Sequence, residues 1–188
     1  MAEVVLFHHC QGLTSGVNGF ADRLRAAGHT VFVPDLYEGA TFATLEEGVA
    51  HAEKIGYEAI IERGVAAVAG LPGGVVYAGF SLGALPAQKL AQTRPGALAA
   101  LLYHGGIPAS TFGGPWPEGV ALQIHVNDRD EWSELDVVRK LVDASADAEL
   151  FTYAGSAHLF TDDSLDEYDA DSTELVLERS VDLLDRWS

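Results

Sequence analysis

The chain has 188 residues, of which 28 are acidic and 11 basic, giving a formal net charge of −17. That length suits one ordinary domain, expected to span residues 1–188, with no need of a disulfide or metal staple. The charge, concentrated after Glu118, repels phosphate backbones and anionic lipid, so nucleic acid and membrane surfaces are excluded as partners.

Six short apolar runs recur along the chain: Val4–Phe7, Thr30–Val33, Val75–Phe80, Leu98–Tyr103, Ala121–Val126 and Glu149–Tyr153. They are continuously apolar rather than alternating, which predicts strands covered on both faces. Helical patterns lie between them. Asn18 is the expected cap of a stretch carrying Phe20, Leu24 and Ala27, ended by Gly28. Thr44 and Glu47 fit a capping box ahead of Val49, Ala52, Ile55, Ala59 and Ile60. Leu82–Arg94 reads as a helix, Ser133 precedes Leu135, Val138 and Leu141, and Ser172 precedes Leu175 and Leu184. The alternation predicts an α/β fold, a mostly parallel sheet of about six strands with helices on both faces. Chemistry is then expected in the loops after the strands. The first residues lack a basic n-region, and the long uncharged stretches are broken by Pro and Gly, so a cytoplasmic location is expected.

The chemistry is carried by Gly79-Phe80-Ser81-Leu82-Gly83, a G-x-S-x-G segment where a strand meets a helix. That is the context of a nucleophile elbow, with Ser81 at the strand end beside helix amides that can stabilise an oxyanion. A serine hydroxyl needs a base. Of seven histidines, His158 lies in the loop after the last strand and is last in the chain, as a Ser…Asp…His order requires. His29 and His51 read as surface residues. The acid should follow the strand Ala121–Val126; Asp130 is favoured and Asp128 is the rival, the loser capping the turn or pairing with Arg129. The oxyanion amides are assigned to Leu82 and Cys10, with Gln11 as rival to Cys10. Cys10, the lone cysteine, excludes an intramolecular disulfide and a cysteine zinc site, and its thiol is not expected to be the nucleophile.

These residues resemble the dienelactone hydrolase family of the α/β-hydrolase superfamily, in a serine-nucleophile variant. The resemblance rests on Gly16-Val17-Asn18, the Ala21–Gly28 helix, Val33-Pro34-Asp35-Leu36-Tyr37, the Ser81 elbow, Asp130 and the Ala154–Phe160 segment. It implies Ser81 as nucleophile, Asp130 as acid and His158 as base. Three departures matter. Ser81 stands where the namesake enzymes carry cysteine, His9 where they carry glutamate, and Asp162 nearest the place of a carboxylate-binding arginine. The resemblance therefore implies serine hydrolysis and argues against an anionic dienelactone; with Asp162 facing the pocket, neutral substrates are expected.

The loop after Tyr103 supplies candidate pocket or lid residues Phe112 and Trp116, joined by His9 and Gln11 from the loop after the first strand. The six acids between Thr161 and Asp171 lack calcium-loop spacing and read as a solvated loop. No cofactor and no metal are expected. The sequence-level reading is a hydrolase of a small-molecule carboxylic ester or lactone, acting through an acyl-enzyme. The alternatives are a non-catalytic small-molecule-binding protein on the same fold and an acyltransferase. The oligomeric state is open.

Overall fold

The computed structural model describes residues 1–188. Its order is β1 (Glu3–Phe7), α1 (Ser15–Ala26), β2 (Thr30–Phe32), α2 (Leu45–Ile55), α3 (Tyr57–Ala67), β3 (Val75–Phe80), α4 (Ala84–Thr93), β4 (Ala99–Tyr103), β5 (Ala121–Asn127), α5 (Leu135–Asp143), β6 (Ala148–Tyr153) and α6 (Ala170–Leu184). The six strands form one sheet in the order β2-β1-β3-β4-β5-β6, and every pairing is parallel. This is the α/β-hydrolase arrangement, and each strand falls within a residue or two of an apolar run.

The apolar runs are continuous because each strand feeds two cores. Val75 and Tyr77 of β3 face one, with Ala52 of α2, Ile60 of α3, Leu90 of α4 and Leu141 of α5. Val76, Ala78 and Phe80 face the other, with Phe20 and Leu24 of α1 and Val176 and Leu184 of α6. Full burial of a side chain such as Leu101 or Ile124 is worth about 1.5–3 kcal/mol, so the central strands hold the sheet together. No helix is long and apolar enough to cross a membrane.

Several helix boundaries differ from expectation, each for a local reason. Thr14, not Asn18, caps α1: its side chain accepts from the Val17 amide. The Thr44–Glu47 capping box forms as expected. The helix it starts stops at Gly56, whose φ of 92° breaks the run, and α3 begins at Tyr57. Asp169, not Ser172, caps α6. Ser133 caps nothing; Glu134 precedes α5 and the Ser133 hydroxyl has no partner. His29 is buried rather than at the surface.

Candidate active site

Ser81 follows β3 directly and opens a short 3₁₀ turn, Ser81–Gly83, that leads into α4. Its φ is 49°, a conformation an L-residue adopts only when its surroundings impose it, at a cost of about 1–3 kcal/mol. The flanking glycines are required by contact. A Cβ at Gly79 would collide with the Gly83 carbonyl, and a Cβ at Gly83 would collide with the carbonyls of Phe7 and His8. The elbow is thus pressed against the carboxyl end of β1.

The loops after β5 and β6 bring two further groups to Ser81. The Ser81 Oγ lies 2.7 Å from His158 Nε2, and His158 Nδ1 lies 2.6 Å from Asp130 Oδ2. His158 and Asp130 are both buried. A neutral imidazole that donates from Nδ1 to the carboxylate leaves Nε2 free to accept the serine proton. The second oxygen of Asp130 accepts from the Trp132 amide at 2.9 Å, and the His158 amide donates to the Glu167 carboxylate at 2.8 Å. Asp128 stands outside this relay. Its carboxylate accepts from the Gly155 amide at 3.0 Å and lies 3.6 Å from Arg129, tying the two loops together.

The loop after β1 packs beside the elbow. The Gln11 amide donates to His9 Nδ1 at 3.2 Å, whereas the Cys10 amide has no acceptor in the protein. Of the two amides weighed for an oxyanion, Cys10 is the free one. The Leu82 amide, the other one assigned from the sequence, lies at the start of the turn leading into α4, where the helix dipole favours negative charge. Burial pushes the Cys10 thiol up to about 12, so it stays protonated and unreactive at neutral pH.

Four residues expected near the pocket line neither cavity beside Ser81. His9 is buried and its Nε2 donates to Asp162 at 2.8 Å. Gln11 turns away to the Phe42 carbonyl, 3.1 Å distant. Trp116 is buried, with its indole N–H on the Val120 carbonyl at 2.7 Å. Phe112 lies on a 3₁₀ turn, Ala109–Phe112, clear of the cavities. The loop that carries Phe112 and Trp116 is pinned to α4 by Gln88 on Ile107 and Gln92 on the Ala109 carbonyl.

Asp162 does not face the pocket either, which removes the stated reason for expecting neutral substrates. It is buried and accepts from His9, from Thr14 Oγ at 2.5 Å and from the amide and hydroxyl of Ser164. Burial raises its pKa, but the hydrogen bonds from His9, Ser164 and Thr14 outweigh that and hold it at about 2. The acidic loop is therefore partly structural: Asp162 joins it to the β1 loop, Glu167 holds the His158 amide and Asp169 caps α6.

Two cavities meet at Ser81 and His158. One, of about 220 Å³, is walled by Cys10, Leu45, Val49, Ala52, Tyr57 and Leu82 and is mainly apolar. The other, of about 210 Å³, is walled by Gln88, His104, Gly105, Gly106, Ser133 and Glu134 among others. Trp132 and Leu85 line both and divide them. Trp132 is 54% exposed and its ring centroid lies 6.1 Å from that of His158. The sequence reading overlooked Trp132, Tyr57, His104 and Ser133. Two had a usable signal: Trp132 stands two residues after Asp130, and His104 ends a strand where chemistry was expected.

The sequence matches the family model described as dienelactone hydrolase family over residues 1–188. No curated protein matches it. Solved structures share its fold. A dienelactone hydrolase-like promiscuous phosphotriesterase from metagenomic libraries is 18% identical with a TM-score of 0.77, covering 100% of this chain and 87% of its own. The mouse alpha/beta hydrolase domain-containing protein 10 is 12% identical at a TM-score of 0.75, covering 99% and 90%. A cold-adapted esterase from an Arctic intertidal metagenomic library is 17% identical at 0.71, covering 98% and 82%.

Proposed function

The chain belongs to the dienelactone hydrolase family, and from that premise we propose that it cleaves a small carboxylic ester or lactone with Ser81 as nucleophile. One observation carries the reading: the unbroken relay from Ser81 Oγ through His158 to Asp130, at 2.7 and 2.6 Å. In it each nitrogen of His158 meets the group its role demands.

Ser81 Oγ attacks the substrate carbonyl carbon while its proton passes to His158 Nε2. Asp130 holds Nδ1–H, fixes the tautomer and stabilises the imidazolium. The carbonyl oxygen becomes an oxyanion, held by the amides of Cys10 and Leu82. As the tetrahedral intermediate collapses, the carbon–oxygen bond to the alcohol breaks and His158 returns the proton to the departing alkoxide. A water then attacks the acyl-enzyme, giving its proton to His158, and the acid leaves as Ser81 recovers its hydrogen. The cycle needs no cofactor and no metal.

The test is active-site labelling with a fluorophosphonate, read by peptide mass spectrometry, beside a panel of neutral esters and lactones. One equivalent on Ser81, with ester turnover abolished in step, is the expected result. A protein that turns over esters with Ser81 unlabelled would overturn the assignment. A protein that neither labels nor turns over any ester would be a binding protein on this fold.

A further inference from the structure

The two cavities beside Ser81 differ in chemistry, and the difference defines a substrate class. The apolar one presents Leu45, Val49 and Ala52 of α2, and its rim carries Tyr57 and Trp132. These two are 44% and 54% exposed, and they are two of the five large hydrophobic side chains the protein leaves in solvent. Exposed aromatics gathered at the mouth of an apolar cavity mark a place where an apolar ligand is buried.

The second cavity mixes apolar walls with more polar ones than the first, and two of its polar side chains have an atom without a partner. Ser133 is 8% exposed, lines the cavity, and its Oγ makes no hydrogen bond. His104 is 2% exposed and its Nδ1 is also unpartnered. Its Nε2 lies 2.7 Å from the Thr161 hydroxyl, which makes no other bond. The arrangement that leaves fewest groups unpaired has Thr161 donate to Nε2, so that Nδ1 carries the hydrogen. Leaving a buried donor unmade costs about 1–3 kcal/mol, so two such groups, on His104 and Ser133, point to a ligand that supplies oxygen acceptors. Its charge is bounded too. No Lys or Arg lines either cavity, and Glu134 lines the polar one, so a carboxylate would have no counter-ion there.

We propose that the substrate is an uncharged amphiphilic ester: its scissile bond joins an apolar group, seated against Leu45, Val49 and Ala52, to a group bearing hydroxyl or carbonyl oxygens, seated against His104 and Ser133. This rests on the serine-ester reading above and gives that site its specificity.

The experiment uses two mirrored pairs matched in size. One is 2,3-dihydroxypropyl hexanoate against propyl hexanoate; the other is hexyl 2,3-dihydroxypropanoate against hexyl propanoate. In one pair the hydroxylated ester should have the higher kcat/KM by about tenfold, the worth of one or two good hydrogen bonds. That pair also reveals which cavity takes the acyl group. Lengthening the apolar side should raise kcat/KM about fourfold per methylene. The rise should stop near seven carbons, since 220 Å³ holds about seven groups of water's size.

Two variants bind these effects to the cavities. Val49→Trp, at a half-buried position, should erase most of the chain-length gain. Ser133→Ala should cut the hydroxyl gain to about twofold with no loss of Tm, because the hydroxyl it removes has no protein partner. Equal kcat/KM within both pairs, or a hydroxyl gain that Ser133→Ala and His104→Phe leave intact, would overturn the proposal while Ser81 labelling still stood. Failure of Ser81 to label would overturn the serine reading itself, and this proposal with it.

Discussion

The protein contains two buried histidine–aspartate pairs of nearly the same length. His158 and Asp130 meet at 2.6 Å, and His9 and Asp162 at 2.8 Å. What separates them is the other ring nitrogen. His158 Nε2 faces the Ser81 hydroxyl, whereas His9 Nδ1 accepts the Gln11 amide. In the first pair the ring faces a hydroxyl; in the second both ring nitrogens are used on structure. It ties the loop after β1 to the loop after His158, and Thr14 extends the tie to the cap of α1. A histidine on a carboxylate is therefore a chemical device only when its far nitrogen meets a group that can react.

Removing the reacting group should produce the largest effect. Ser81→Ala is expected to lower kcat by about 10⁵–10⁶ with an unchanged Tm or a higher one, since alanine at that position loses no packing contact. Asp130→Asn comes next, at about 10⁴ in kcat, because the amide favours the wrong imidazole tautomer. Asp128→Asn should cost less than about threefold, since Asp128 contacts only Gly155 and Arg129. Steady-state kinetics on one neutral ester ranks all three. An Asp128→Asn loss equal to that of Asp130→Asn would break the comparison at its catalytic half.

The structural pair should respond in the opposite way. Asp162→Asn is expected to lower Tm markedly and to reduce kcat by only about tenfold, through loosening of the loop that presents the Cys10 amide. With its pKa held at about 2 rather than 3.8, Asp162 contributes on the order of 2 kcal/mol to stability. The sign follows from the depressed value: the contribution is complete above about pH 4 and is lost as pH falls through about 2. His8 and His125 act over a higher window. Burial lowers their pKa values to about 4 and about 3, so the unfolded chain takes up their protons first, from about pH 6.5 downward. His8 Nε2 accepts the Leu36 amide at 2.9 Å, a bond that protonation would break. Thermal melts should therefore show stability falling steadily from about pH 6.5 to 3, starting well above the pH of about 4 at which the Asp162 contribution begins to fade. A melt flat across that range would show that these histidines are not held neutral.

The fold was legible because each strand serves two cores and so reads as an unbroken apolar run; the departures lie in the helix starts, in the break at Gly56 and in the burial of His29. Asn18 and Ser133 look like caps in isolation, but a cap is set by where the chain enters the helix, and Thr14 and Glu134 hold those places. Ser81, His158 and Asp130 were legible because each follows a strand end. The His9–Asp162 pair spans 153 residues and connects two loops, so no local pattern could reveal it. The same holds for the cavities. Tyr57 reaches the rim only because Gly56 breaks α2 from α3, and Trp116, the aromatic that looked like a pocket wall, is drawn into the core by its bond to Val120.

The smallest effect concerns substrate charge, where the two regions exchange roles. Asp162 cannot repel a bound anion from the pocket, because it is enclosed by His9, Thr14 and Ser164 and pressed against Gly16, where a Cβ would collide with its carboxylate. Asp162→Arg should therefore misfold rather than admit anionic substrates. The group that does line the polar cavity is Glu134, exposed at the start of α5. An exposed carboxylate acts through solvent, so its effect is modest and sensitive to salt. A neutral ester should exceed its isosteric carboxylate by a few-fold in kcat/KM at low ionic strength. The ratio should shrink toward that of Glu134→Gln as salt rises and the Debye length falls from about 10 Å at 0.1 M to about 3 Å at 1 M. If Glu134→Gln leaves the ratio unchanged at low salt, the discrimination arises in the cost of burying a carboxylate in cavities that hold no cation rather than in repulsion by Glu134. The salt dependence should then vanish with it.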